Sequence, residues 1–237
     1  MALTRNDTSD GLHLVRVWDW PTRLFHWALV LCVAGAVVSA KVGGNAMPWH
    51  FRFGLAVLAL LVFRLVWGVI GGHWSRFTSF LYAPTTLLRY VRGQAHPQDR
   101  LDVGHSPTGA LSVFALLGLL AVQVATGLVA DDEIASTGPL IRFVESATSL
   151  AATSWHKSWG QWLLLGLVVL HLCAIAVYRV VHRNDLVTPM LVGDKQLPPA
   201  VAAAVPASAD HVGRWVLALA ALSLGVAAAL WVQVQGG

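Results

Sequence analysis

The chain has 237 residues, of which 56% are hydrophobic and only 12% are charged. Soluble domains usually carry about 25% charged residues. This composition therefore excludes an ordinary water-soluble domain and indicates a protein whose main solvent is lipid. The formal net charge is only +4, and we expect no nucleic-acid partner.

Long apolar stretches predict five helices, at about residues 21–42, 48–70, 109–130, 155–181 and 212–234. Each has roughly the 20 residues that a helix needs to cross the hydrocarbon core. Tryptophans fall near the ends of these stretches, as in the aromatic belts of membrane proteins. The predicted fold is an all-α integral membrane protein, with a four-helix transmembrane bundle and a fifth, C-terminal transmembrane helix.

The same pattern divides the chain into three parts. Residues 1–195 are predicted to form the transmembrane domain, residues 196–211 a linker rich in proline and alanine, and residues 212–237 the last helix. That helix has no histidine within its span, so we expect an anchor or a packing element. Residues 75–93 interleave large apolar side chains with arginine, which predicts a segment along the membrane surface.

Lysine and arginine are distributed unequally between the two ends of the predicted bundle. Positively charged loops are retained in the cytoplasm, so the end richer in cations is predicted to be cytoplasmic, together with the N-terminus. One end has only Lys41, Arg52, Arg142 and Lys157, whereas the other has Arg5, Arg16, Arg23, Arg76, Arg89, Arg92, Arg100, Arg179, Arg183, Lys195 and Arg214.

Four histidines lie inside the predicted spans, where ionisable side chains are costly and usually functional. His26 lies near the cytoplasmic start of the first helix and His50 near the outer start of the second. The fourth helix carries both His156 and His171, about 22 Å apart along its axis and roughly 60° apart around it. Their depths match in pairs, His50 with His156 in the outer half and His26 with His171 in the inner half.

Paired imidazoles at two depths predict two bis-histidine haem sites stacked within the bundle. Two imidazole ligands leave no open position on the iron, which is typical of an electron carrier. The chain has no C-x-x-C-H motif, so each haem b would be held non-covalently. The alternative is that each histidine forms a hydrogen bond between helices or lies at the interface, but the matching depths favour haem.

Further residues are candidates for contact with these haems. Gly54 lies one turn after His50, where a missing side chain leaves room for a flat macrocycle. Arg23, Arg52 and Arg64 are candidate partners for haem propionates, although Arg64 could instead extend to the interface. His105, which precedes the third helix, could cap that helix, hold a propionate or carry a proton for quinone chemistry.

Several segments together resemble the bacterial cytochrome b561 family and the b-type cytochrome subunit of nickel-iron hydrogenases, over about residues 15–195. These segments are residues 17–27 (VWDWPTRLFHW), His50 with Gly54, residues 64–68 (RLVWG), residues 104–110 (GHSPTGA), Trp155 with His156, His171, and residues 186–190 (LVTPM).

The resemblance implies a di-haem core with ligands at His26, His50, His156 and His171, the same set that depth matching gives. It also implies electron exchange with a membrane quinone, a location in the bacterial inner membrane and a possible homodimer. This chain departs from the pattern in one respect, because relatives often have one residue fewer between the two histidines of the fourth helix. The extra residue would rotate one ligand by about 100° unless a local bulge absorbs it.

The predicted function is electron transfer between the quinone pool and an outer-face partner, either a periplasmic cytochrome c or a peripheral oxidoreductase subunit. One alternative is the cytochrome b anchor of a nickel-iron hydrogenase. Another is a stand-alone enzyme that oxidises superoxide and reduces quinone, although an electron-transfer subunit is favoured over an enzyme. A transporter would need an inverted repeat or broken helices, which the sequence does not indicate.

Overall fold

A computed structural model describes residues 11–96 and 99–236, so Arg5 lies outside the described residues. Within these residues helices dominate, and one pair of short strands joins a segment near the N-terminus to one that follows the fourth span. In chain order the elements are β1 (His13–Arg16), α1 (Trp20–Val42), α2 (Met47–Ile70), α3 (Pro84–Val91), α4 (Pro107–Leu128), α5 (Ser146–Lys157), α6 (Trp159–Val180), α7 (Val187–Val192), β2 (Asp194–Leu197), α8 (Pro199–Ala202) and α9 (Val212–Gln235).

Five helical segments of the described chain are long and apolar enough to cross a membrane: α1, α2, α4, α5 with α6, and α9. The predicted helical membrane bundle with a fifth helix is therefore confirmed. The third span begins at Pro107 rather than at residue 109, because the Ser106 hydroxyl accepts a hydrogen bond from the Gly109 amide and caps the helix there.

The prediction of one continuous fourth helix over residues 155–181 is wrong. Two helices occupy this span, α5 and α6, and Ser158 between them has φ −112° and ψ −97°, outside the helical region. The helical segment also begins nine residues earlier, at Ser146. A broken helix is therefore present, contrary to the sequence-based expectation.

The N-terminus of α1 and the C-terminus of α2 meet around one buried carboxylate, that of Asp19. This side chain accepts hydrogen bonds from the Thr22 and Gly72 amides and from the Ser75 hydroxyl. Its bond to Thr22 caps α1, with Pro21 in the first turn. Because the start of α1 and the segment after α2 both donate to it, Asp19 fixes the register of α1 against α2.

The last helix, α9, packs along α2. Gly225 lies directly against the backbone of Ala59, so closely that a β-carbon there would meet the Ala59 carbonyl. Small residues allow such backbone contacts between membrane helices. Nearby, Ala218 and Ala221 join Phe25 of α1 in a buried cluster. The described structure thus makes α9 a packing element of the bundle.

Strand β1 pairs antiparallel with β2, with His13 opposite Leu197 and Arg16 opposite Asp194. The Arg16 guanidinium also forms ion pairs with Asp194 at 2.6 Å and Asp210 at 2.5 Å, and these carboxylates raise the pKa of Arg16. The end of the bundle that carries β1 and β2 is called the sheet end below. The opposite end, with the connection from α1 to α2, is called the turn end.

The strand pairing corrects two predictions. A domain boundary at residue 195 falls inside β2, and the proline- and alanine-rich residues that follow are packed rather than free. Ser208, for example, donates a hydrogen bond to the Val17 carbonyl at 2.7 Å.

In the predicted surface segment, residues 75–93, Phe80 is buried with 1% exposure, whereas Leu88 and Val91 of α3 are exposed.

Candidate haem sites between the helices

At the turn end, the structure brings the rings of His50 and His156 close together, with their planes nearly perpendicular. Their ring centroids are 5.9 Å apart and their planes are inclined by 81°. A bond from a metal to an imidazole nitrogen is about 2 Å long, so two rings bound on opposite sides of one metal have centroids about 6 Å apart. The observed separation would let both rings bind one haem iron between them.

The hydrogen bonds of both rings leave the same nitrogen free. His50 Nδ1 lies 2.9 Å from the Ala36 carbonyl oxygen of α1, and His156 Nδ1 lies 2.8 Å from the Gln123 carbonyl oxygen of α4. A carbonyl oxygen can only accept, so each Nδ1 carries the proton and donates it. Each Nε2 is then unprotonated and available, which is the arrangement that metal-binding histidines usually have.

The side chain of Gln123 stabilises the break between α5 and α6, and the sequence analysis did not identify this residue. Its side-chain amide donates to the His156 carbonyl oxygen at 2.8 Å, while its own carbonyl accepts from the His156 ring. Two glycines leave the space that the His156 ring and the Gln123 side chain occupy. A β-carbon at Gly127 would lie 2.8 Å from Cε1 of His156, and one at Gly160 would meet Oε1 of Gln123. The sequence feature that could have identified Gln123 is a polar residue inside an otherwise apolar span.

At the sheet end, His26 of α1 lies near His171 of α6. Both side chains are half-buried. Within the described residues, Nδ1 of His26 is buried and has no hydrogen-bond partner. The structure thus brings both predicted pairs together, the turn-end pair with defined ring geometry and the sheet-end pair without a protein partner for its buried nitrogen.

His105 lies beside the sheet-end pair, between two aromatic rings. Its ring centroid is 4.7 Å from that of Trp18 and 4.3 Å from that of Phe80. Burial, together with the nearby positive charge of Arg64, lowers the pKa of His105 to about 3. His105 does not cap α4, because Ser106 does.

The three predicted arginines have different surroundings. Arg23 donates to the Leu191 carbonyl oxygen at 2.5 Å and lies over the Trp20 ring. Arg64 is only 3% exposed, so it does not extend to the interface; it donates to the Ser75 carbonyl oxygen at 3.0 Å. Both are at the sheet end. Arg52, at the turn end, is exposed and stacks over Trp49.

Open space lies beside two glycines of the facing helices. A β-carbon built on Gly54 of α2 or on Gly166 of α6 would meet no atom within 4 Å. Gly35, by contrast, is packed against the Phe53 ring. Room beside Gly54, one turn from His50, fits a flat macrocycle next to the turn-end imidazoles. The residues present therefore fit a non-covalent haem.

A bundle of apolar spans with paired imidazoles facing one another defines the class of membrane-bound b-type cytochromes, which carry electrons on haem b. The sequence profile of the prokaryotic cytochrome b561 family matches residues 17–193. The chain belongs to this family.

Several curated proteins are similar over most of this chain. One is a probable Ni/Fe-hydrogenase 1 B-type cytochrome subunit of Escherichia coli K12, 22% identical over 78% of this chain and 92% of the relative. The corresponding proteins of Bradyrhizobium diazoefficiens and Azotobacter chroococcum are 21% and 25% identical, over 78% and 81% of this chain and 87% and 96% of theirs. No solved structure gives a significant match.

Proposed function

We propose that this cytochrome holds two haem b groups, one between His50 and His156 and one between His26 and His171, and moves electrons across the membrane through both. The observation that carries the proposal is the turn-end pair, whose rings are 5.9 Å apart with both Nδ1 atoms engaged. Haem b with two imidazole ligands supplies one-electron exchange without an open coordination position.

The protein's own residues have distinct tasks in this proposal. The carbonyls of Ala36 and Gln123 fix the orientation of the turn-end imidazoles through their Nδ1 hydrogen bonds. Gly54 leaves space for the macrocycle. At the sheet end, Arg23 and Arg64 supply positive charge for propionates, and the neutral His105 ring supplies a hydrogen-bond donor. Arg52 supplies positive charge at the turn end.

The distribution of cations favours an orientation with the sheet end in the cytoplasm of a bacterial inner membrane. Described sheet-end segments hold Arg76, Arg89 and Arg92, among others, whereas Arg142 and Lys157 are at the turn end. The N-terminus is then cytoplasmic. A quinone exchanges electrons near the sheet-end haem, and an outer partner, a cytochrome c or a peripheral oxidoreductase subunit, does so near the turn-end haem.

Reduction by quinol tests the path. The purified, oxidised protein is mixed with decylubiquinol and the haem absorbance is followed in wild type and in His171→Ala. We expect both haems to be reduced in wild type. In the variant, the remaining turn-end haem should be reduced much more slowly, because its neighbour on the path is missing. Equal rates in the two proteins would contradict a path that enters at the sheet end.

A second candidate is the cytochrome subunit of a nickel-iron hydrogenase, which the names of the curated relatives favour. In this case the outer partner is the hydrogenase itself. Membranes that contain the native chain are exposed to hydrogen gas, with membranes lacking the chain as control. Haem reduction by hydrogen and co-purification with an iron–sulfur protein would support this candidate; co-purification with a c-type cytochrome alone would contradict it.

A further inference from the structure

Five side chains at the sheet end form a connected row of oxygen atoms, called the hydroxyl row below. The Tyr90 hydroxyl donates to Asp102 at 2.7 Å and lies 2.8 Å from the Tyr178 hydroxyl. The Tyr178 hydroxyl is in turn 3.2 Å from the Ser106 hydroxyl and 3.4 Å from that of Thr108. The row joins the end of α3, the start of α4 and the last turns of α6.

One end of the hydroxyl row is open to water. Asp102 is exposed, and it lines a cavity of about 320 Å³ together with Tyr90 and Lys195. An exposed carboxylate exchanges protons rapidly with water. Asp102 therefore gives the row a point at which protons can enter from water or leave to it.

The other end reaches into the bundle on the side of the sheet-end haem ligand. Tyr178 follows His171 by seven residues in α6, so the two side chains lie on the same face, about 10 Å apart along the axis. Thr108 lies in the first turn of α4 beside Tyr178. The inner end of the row is thus within the reach of a quinone bound between these residues and the haem.

Each hydroxyl in the row can both donate and accept a hydrogen bond. Such groups can pass a proton by breaking one O–H bond and forming the next, without any net change in themselves. A single contact would suffice to hold α3 against α6, whereas this row runs through consecutive hydroxyls from exposed Asp102 to the first turn of α4.

We propose that the hydroxyl row conducts protons between water at the sheet end and the quinone that exchanges electrons there, an inference that rests on the proposed function. Oxidation of a quinol breaks its two O–H bonds and releases two protons and two electrons. With two haems bound, each could take up one of the two electrons. The protons pass through Thr108 or Ser106 to Tyr178, then to Tyr90 and Asp102, and leave to water; quinone reduction runs the same path in reverse.

The test uses the full, haem-loaded protein and two reductants. Decylubiquinol delivers electrons together with protons, whereas hexaammineruthenium(II) delivers electrons alone. The variants are Tyr178→Phe, which interrupts the row, and Asp102→Asn, which keeps an oxygen that accepts from Tyr90 but removes the carboxylate. Haem reduction is followed by absorbance and proton release by a pH indicator.

We expect both variants to slow quinol-driven reduction by about a hundredfold, the lower range of what a positioned proton-transfer group contributes. Reduction by the ruthenium complex should be unchanged in both. Tyr82→Phe is the matched control. The Tyr82 hydroxyl also joins the residues before α3 to those before α4, by donating to the His105 carbonyl at 2.8 Å, but it is not part of the hydroxyl row. This control should reduce at the wild-type rate with either reductant.

Different outcomes would contradict proton conduction by the hydroxyl row and the proposed function on which it rests. Wild-type rates of quinol-driven reduction in both variants would overturn proton conduction by the hydroxyl row but not the proposed function. Equal slowing with quinol and with the ruthenium complex, or equal slowing in Tyr82→Phe, would also overturn it, because the row would then act as a structural latch. If quinol does not reduce the wild-type protein, the quinone step of the proposed function is wrong. Proton conduction by the hydroxyl row would then be wrong as well.

Discussion

Replacement of Gln123 by leucine removes the side chain that holds the break between α5 and α6. Leucine has a similar size but cannot donate to the His156 carbonyl, which the break at Ser158 leaves without a helical partner. The ring of His156 keeps its own hydrogen bond, because the Gln123 backbone carbonyl accepts it. The substitution therefore disturbs where the ligand lies without changing which nitrogen is protonated.

The magnitude follows from the hydrogen bond that is lost. A buried acceptor without a partner costs about 1–3 kcal/mol in proteins, and interhelical hydrogen bonds in a membrane average about 0.6 kcal/mol. We expect a loss of about 1 kcal/mol in haem retention at the turn end, or about a fivefold change in the equilibrium. The redox potential of that haem should shift, and the sheet-end haem should not change.

The assay combines haem content by the pyridine haemochrome method with a redox titration of each haem. Gln161→Leu is the matched control, since Gln161 lies in the first turn of α6 and makes no side-chain hydrogen bond within the described residues. If Gln123→Leu keeps both haems and both potentials, as this control should, the side chain does not position His156.

Three further predictions follow from contacts in the structure. Gly127→Val should displace the His156 ring, because even a β-carbon would lie 2.8 Å from its Cε1 atom; optical spectra should show selective loss of one haem, and retention of both would contradict the packing described. Gly225→Leu should lower thermal stability by about 1–3 kcal/mol through overpacking against Ala59, with an unchanged ratio of haem to protein; an unchanged unfolding temperature would count against close packing of α9. His105 has a folded-state pKa of about 3, below its unfolded value of 6.5, so its contribution to stability is complete above pH 6.5 and is lost as the pH falls from there towards 3. Unfolding temperatures at pH 7.5 and 5 should therefore differ less in His105→Gln than in wild type, and an equal difference would refute the burial of a neutral ring.

The spans and the histidine pairs could be predicted because each depends on a rule that acts locally. A stretch of about 20 apolar residues has few alternatives to a membrane helix. Ionisable side chains inside such a stretch are costly, which singled out His50 and His156 before any contact was known. Their depths followed from counting residues, and the structure places the two rings 5.9 Å apart.

The break at Ser158 could not be predicted, because the group that stabilises it comes from another helix. The sequence around it has no proline, and the carbonyl that the break frees is bonded to Gln123, 33 residues earlier. The family resemblance implied that the separation of fifteen positions between His156 and His171 would rotate one ligand unless a local irregularity absorbed the extra residue. The structure places one between them, at Ser158.

The strand pairing was also missed, for a different reason. Strands β1 and β2 are four residues each and lie far apart in the chain, so no local pattern links them. The proline and alanine content of the following residues is typical of a linker, yet Arg16 holds this region through Asp194 and Asp210. Only the folded chain brings these charges together.

The most direct test of the central claim is the number of haems per chain in the purified protein and in the variants His156→Ala and His171→Ala, with the exposed His13→Ala as control. The account predicts two low-spin haems in wild type and in the control, and the loss of one haem in each ligand variant, a different one in each. A single haem in wild type, or loss of the same haem from both variants, would contradict the assignment of two sites stacked across the membrane.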